Sequence, residues 1–236
     1  MHLARAVHLY RGYLDYNGAL AELDIARRTL PNDPRVPELI GYIARRRGKQ
    51  EEGLRNMERA VELDPLSPII NADLGTTFYY ARRYDESVTQ LQKTLAIDPT
   101  FFYAHYNLGI VLQVMGDLPG AIAEYEKARQ LSDDPFMATL CAAAKANAGG
   151  KDAARRMLTE LAKIGEHREV LSYWRALLYL SLNNKEEALR WLEQSFEERD
   201  GLDISWIKVD HLLDPLHGDP RFEALVQKVV APKTQP

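Results

Sequence analysis

Apolar and polar residues follow one another in this chain with the spacing of amphipathic helices, and the pattern comes in pairs. Leu39-Ile40-Gly41-Tyr42 is followed by Gly48-Lys49, then Gly53, Met57, Ala60 and Leu63-Asp64-Pro65. The order returns as Leu74-Gly75, Phe78, Tyr84, Ser87, Leu91, Thr94 and Ile97-Asp98-Pro99, and again as Leu108-Gly109, Gly116-Asp117, Ala121, Tyr125, Ala128 and Leu131. Apolar positions three and four residues apart predict two amphipathic helices per unit. A small residue opens the second half of each unit, at Ala19, Gly53, Ser87, Ala121, Ala154 and Ala188, with steps of 34, 34, 34, 33 and 34 residues. A fixed period of this length marks a solenoid, in which each unit buries its apolar face only by stacking on the next.

The recurring small residues have physical tasks. Gly41, Gly75, Gly109, Ala121 and Ala128 fall where helices approach most closely, and a larger side chain would hold the backbones apart. Gly48, Gly116 and Gly149 stand at the turn inside a pair, where glycine takes a left-handed conformation at little cost, and Asn183 serves in the last unit. Pro31, Pro65 and Pro99 follow the second helix and stop it.

Taken together, the pattern resembles the tetratricopeptide repeat over residues 1–200, most closely in Asn107-Leu108-Gly109 and from Ala121 to Ala128. The resemblance implies an all-α, right-handed α-solenoid of about six helix pairs, with units near 1–33, 34–67, 68–101, 102–134, 135–168 and 169–201. The first-helix tryptophan usual in that family is replaced by Pro37, Asn71 and His105. The unit around 136–165 is alanine-rich and one residue short, which leads us to expect a change of twist near residues 130–150. Met1 already lies inside the first helix, which lacks an N-cap. The chain therefore reads as a fragment of something longer, and that bare helix as a route to a homo-oligomer.

Beyond the sixth unit, Glu198-Arg199-Asp200-Gly201 ends the helix and Leu202 to Val209 reads as a mostly apolar extended stretch. Asp210 caps a short helix over His211-Leu212-Leu213. Asp219-Pro220 starts the last helix, whose face of Phe222, Leu225, Val226 and Val229 makes a lid for the terminal repeat. Residues 202–230 are thus expected to form an irregular cap plus a terminal helix, and 231–236 a disordered tail. This segment, from Ala188 through Asp200-Gly201 to Asp219-Pro220-Arg221-Phe222, is similar to the end of bacterial multidomain regulators. There the repeats follow a winged-helix, Ser/Thr kinase or nucleotide-cyclase domain. That resemblance implies a regulatory or sensory arm. The chain itself carries no glycine-rich nucleotide loop, no His-Arg-Asp catalytic loop and no basic winged helix.

Composition narrows the classes further. Lys+Arg is 30 against Asp+Glu 34, a net charge of −4, which argues against nucleic-acid binding. Cys141 is the single cysteine, so no disulfide forms within the chain and a reducing, cytoplasmic setting is expected. No run of about 18 apolar residues is present to span a membrane. The six histidines are scattered and read as surface or capping residues, and His211 and His217 lack the further ligands of a zinc set. Ser172 and Ser195 have no Gly-x-Ser-x-Gly elbow, Cys141 reads as an inert core residue, and Gly149-Gly150 as a turn. No catalytic set, cofactor or metal is expected, which leaves a non-enzymatic binder.

In the resembled family the first helices line the concave face. The resemblance therefore implies a peptide groove lined by Arg5, His8 and Arg11, then Glu38, Tyr42, Arg45 and Arg46, then Asp73, Thr76, Tyr79 and Tyr80. Tyr103, Tyr106, Asn107, Ile110 and Gln113 follow, and beyond them Asn147, Tyr173 and Trp174. Such a face, basic at one end and rich in tyrosine, suits a protein or peptide partner with an acidic end and apolar anchors. The tyrosines also read as ordinary packing between repeats, and Arg45-Arg46-Arg47 and Arg82-Arg83 as cations at helix C-termini. A chaperone-tail clamp is disfavoured: Ala72 and Thr76, then Phe136 and Leu140, stand where Lys, Asn or Arg would be required.

Overall fold

The computed structural model describes residues 1–13, 15–165, 172–198 and 204–230, without the side chains of 12, 165, 205 and 230. Every regular element in these residues is helical. Two compact units divide at Asn107/Leu108. The first holds α1 (His2–His8), α2 (Tyr16–Thr29), α3 (Arg35–Arg46), α4 (Gln50–Leu63), α5 (Pro68–Tyr80), α6 (Tyr84–Ile97) and the start of α7 (Phe102–Met115). The second holds the rest of α7, α8 (Leu118–Leu131), α9 (Pro135–Asn147), α10 (Lys151–Gly165), α11 (Ser172–Ser181), α12 (Lys185–Glu198) and α13 (Pro220–Val230). The helices α1 to α12 fall into six hairpins, as the period requires.

Inside a hairpin the small residues do what their size permits. A Cβ on Gly41 would stand 3.0 Å from the Met57 side chain, one on Gly75 2.7 Å from Leu91 Cγ, and one on Gly109 2.6 Å from Tyr125 Cε1. The bulky partner on the second helix fills the notch left by the glycine. Met57, Leu91 and Tyr125 are fully buried as a result, each side chain contributing about 1.5–3 kcal/mol. The turns inside the hairpins recur at one position of the repeat, with positive φ at Gly48, Gly116, Gly149 and Asn183. Arg82 holds the same place with φ 59°, although its sequence gives no hint of a left-handed turn. The residues that replace the usual tryptophan are put to use. Asn71 Nδ2 donates to the carbonyls of Pro65 (3.0 Å) and Ser67 (2.9 Å), and His105 Nε2 meets the Pro99 carbonyl at 3.0 Å, so both tie a first helix to the loop before it.

The structure alters three expectations. The first helix does not run on through Arg11: α1 ends at His8 and a π-helical turn covers Leu9–Tyr13. The wider turn carries Tyr10 into the core, where it is 3% exposed. The stretch expected to be extended forms a 3₁₀ turn at Ile204–Trp206. Ile204 and Ile207, three residues apart, are both buried, which a three-residue turn allows and a strand of period two does not. Residues 199–203 and 231–236, where the helix end, the start of that stretch and the frayed tail were expected, lie outside the described residues. Third, His105 and His211 are buried rather than superficial.

The caps at the C-terminal end form as expected. Asp210 Oδ1 accepts from the Leu212 N–H at 2.9 Å and Asp219 Oδ1 from Arg221 N–H at 2.8 Å. Phe222, Leu225 and Val226 are buried, with α13 packed against α12. Met1 offers no side-chain cap to α1.

Candidate functional site

In the first unit, three successive first helices converge on one carboxylate. Asp73, in the middle of α5, is fully buried. Tyr42 of α3 donates its phenol to Asp73 Oδ2, and Tyr103 at the start of α7 donates to Oδ1 at 2.9 Å. Arg45, one turn beyond Tyr42 on α3, donates from Nη1 to the Asp73 carbonyl (3.4 Å) and to Thr77 Oγ1 (3.2 Å). Its guanidinium carbon lies 4.9 Å from the Tyr42 ring centre and 5.1 Å from that of Tyr80. Helical geometry explains the assembly: residues 42 and 45, like 73, 77 and 80, share a face at three- and four-residue spacing.

The electrostatics follow from burial. Removal from water raises the Asp73 carboxyl, while Arg45, the two phenols and Arg11 pull it back. Burial raises Tyr42 and Tyr103, and the Asp73 charge raises them further, so both phenols remain protonated donors. For Arg45, burial disfavours the charge, but Asp73 and the surrounding tyrosines outweigh it. Burying a charge pair is costly unless hydrogen bonds offset the lost water; here the two phenols donate to the carboxylate and Thr77 Oγ1 accepts from Arg45 Nη1. Glu38, one turn before Tyr42, is raised to about 7, first by burial and then by Asp73. Arg46 faces the other way, its guanidinium carbon 5.0 Å from the Tyr10 ring centre, and Tyr10 stacks on Tyr42.

The expected groove residues therefore divide. Tyr42, Tyr80, Tyr103 and Tyr106 are half-buried, with Tyr106 edge-on to Tyr103 at 5.2 Å, so their rims form a fixed aromatic surface. Arg11 is exposed, and its charge acts on Asp73 and Glu38. Asp73, Thr76, Arg45 and Arg46 are buried and support this wall from behind. Tyr79 is 3% exposed and packs edge-on to Tyr80 within the wall. Asn107, also buried, spends its amide on the Tyr103 carbonyl at 2.7 Å. Arg5 pairs with Glu22 of α2 at 3.2 Å.

The remaining positions belong to the second unit. Ile110 is half-buried and Asn147 exposed. Tyr173 is buried and donates to Asp210 of the cap, and Trp174 stacks on Phe136 at 5.2 Å. Two members of the network are absent from the sequence reading. Tyr10 reaches it only through the π-helical turn, and Thr77 reads as one more small residue in an apolar helix. Cys141 is buried beside Glu126 and its thiol is pushed up to about 11, in keeping with an inert core residue. Among the described residues, no group of three or more His, Cys, Asp or Glu side chains is placed to hold a metal ion, and no helix is long and apolar enough to cross a membrane.

Comparison with known proteins agrees with this architecture. Two family models match, one described as TPR repeat over residues 78–116 and one as tetratricopeptide repeat over residues 171–199. No catalytic family is indicated. Curated proteins give no match. Among solved structures, the chain is similar to PilW, a widely conserved type IV pilus biogenesis factor, at 19% identity over 95% of this chain and 96% of that one, with a TM-score of 0.65. It is also similar to TTC0263, a thermophilic TPR protein of Thermus thermophilus, at 18% identity over 90% and 97% of the two chains, TM-score 0.56. Pseudomonas aeruginosa pilF gives 17% identity over 88% and 96%, TM-score 0.59. At these identities the likeness is one of fold. Residues 78–116 and 171–199 thus match models of the tetratricopeptide repeat within an all-α fold, and repeats of that kind generally serve as scaffolds for protein interaction.

Proposed function

We propose that this chain is a non-enzymatic interaction module that grips a peptide or protein segment on the face formed in the first unit by α3, α5 and the start of α7. The observation that carries this reading is the buried Asp73 network, which fixes Tyr42 and Tyr103 from two different hairpins onto a third. Half-buried tyrosines held in this way offer amphipathic contact area with little rotamer entropy left to lose. Apolar anchors of the partner rest on the rims of Tyr80, Tyr103 and Tyr106. Its acidic end lies toward Arg11, the exposed cation of the expected set whose charge reaches this cluster.

The test is capture of partners by the full chain, compared with Arg11→Ala and Tyr106→Ala. Both substitutions remove exposed or half-exposed groups, so circular dichroism should remain that of the parent. A partner retained by the parent and lost by both variants supports the reading. A partner retained undiminished by both places its site elsewhere. Arg46→Ala is unsuitable, because Arg46 is 5% exposed and stacked on Tyr10.

A further inference from the structure

The loops that join one hairpin to the next leave an open cavity of about 870 Å³ in the first unit, lined by none of the tyrosines of the wall. It is lined by two stretches one repeat apart, from Thr29 to Glu38 and from Asp64 to Ile70. Its volume lies in the range of sites that hold a ligand side chain or small molecule, roughly 300–1,000 Å³. Leu30 and Ile69, 43% and 41% exposed, give it apolar walls.

The charges of the cavity do not cancel. Arg35 is already committed, donating from Nε and Nη2 to the Asp33 carboxylate at 2.9 and 2.6 Å. Glu38 and Asp64 remain, and among the described residues neither carboxylate takes part in a hydrogen bond or ion pair. The N-termini of α3 and α5 also point toward this region and favour an anion, each with the equivalent of about half a positive charge. Against them stand the two carboxylates, of which Glu38 lies in the first turn of α3 itself.

We propose that this cavity docks a cationic side chain of a partner protein, a lysine or arginine whose methylene stem lies on Leu30 and Ile69 and whose head pairs with Glu38 or Asp64. Long cationic side chains bury their stems on apolar surface while the charge seeks a partner, and the cavity offers both. The cavity and the tyrosine wall share residues of α3, with Glu38 in the one and Tyr42 in the other, but the docking contacts proposed here use none of the tyrosines. Glu38 supplies further support. Burial and the Asp73 charge raise it to about 7, Asp33 adds to this, and Arg11 and Arg35 oppose it. An incoming cation relieves that repulsion.

The test uses the isotope-labelled full chain at about pH 7.5, titrated with two amide-capped peptides, one alternating leucine with lysine and one alternating leucine with glutamate. The lysine peptide is expected to shift the amides of residues 29–38 and 64–70 to saturation, and the glutamate peptide to leave them in place. Glu38→Gln and Asp64→Asn, near-isosteric changes at partly exposed sites, should each weaken the lysine peptide by about threefold, the worth of one screened ion pair. The carboxyl carbon of Glu38 should titrate lower in the presence of the lysine peptide. Equal or tighter binding of the glutamate peptide would show that the helix N-termini govern the site and would overturn the proposal. So would unaltered affinity in both variants, or shifts confined to other residues. Shifts at these loops that grow with protein concentration alone would assign the cavity to a second copy of the chain instead.

Discussion

Asp73 shows how one residue comes to govern a surface it never reaches. It is fully buried, yet its two oxygens fix phenols from two other hairpins, and its charge is balanced by Arg45. Removing it leaves the buried guanidinium uncompensated, so Asp73→Ala is expected to lower stability by about 3–5 kcal/mol in urea unfolding. Glu38 carries the opposite sign. Its folded-state value is raised to about 7 from 4.5, so its ionisation works against the fold. The stabilisation is complete below the unfolded value and disappears as pH rises through the folded one. Glu38→Gln should therefore stabilise the chain at pH 8 by on the order of 1 kcal/mol, since solvent screens a half-exposed carboxylate. It should also flatten the stability profile between pH 4.5 and about 7. A thermal-melt series across that range reads both effects. These side chains are visible in the sequence as polar residues on first helices. Their mutual contacts are not, because Tyr42, Asp73 and Tyr103 lie about thirty residues apart and meet only through stacking.

At the scale of the helix pair, the sequence is most legible where backbone geometry permits few residue types. Gly48, Gly116, Gly149 and Asn183 all show the positive φ expected of them. Arg82 holds the same position against its own preference, since a side chain in the left-handed region costs roughly 1–2 kcal/mol. Glycine there removes that strain but adds freedom to the unfolded chain. Arg82→Gly is thus expected to raise stability by about 0.5–1 kcal/mol, measured as a higher urea midpoint with unchanged slope. The helix crossings behave in the reverse way. A Cβ at position 75 would meet Leu91 Cγ at 2.7 Å. Gly75→Ala should therefore destabilise by about 1–2 kcal/mol, overpacking prevailing over the gain in helix propensity. The π-helical turn at Leu9–Tyr13 and the 3₁₀ turn at Ile204–Trp206 lay beyond the sequence reading. Each is chosen by which side chains must face the core, and no local motif announces that choice.

Over the whole molecule, repetition makes stability a sum of nearest-neighbour contacts, and the terminal repeat needs a cover. Phe222 of α13 is fully buried over α12. Phe222→Ala should cost about 3–5 kcal/mol, and hydrogen exchange should quicken in α12 and α11 before α9. The order of the residues was enough to fix the number of hairpins, the glycine notches at which they close and the capping of the last helix. These depend on spacing and on backbone geometry, both of which are local. Stacking alone decided which tyrosines stay half-open and which vanish into the wall, that Arg45 and Arg46 are buried rather than offered to a ligand, and that two inter-hairpin loops line one open hollow. A repeat says that a residue lies on a first helix. Whether it faces water depends on the shape of neighbours brought close only when the chain has folded.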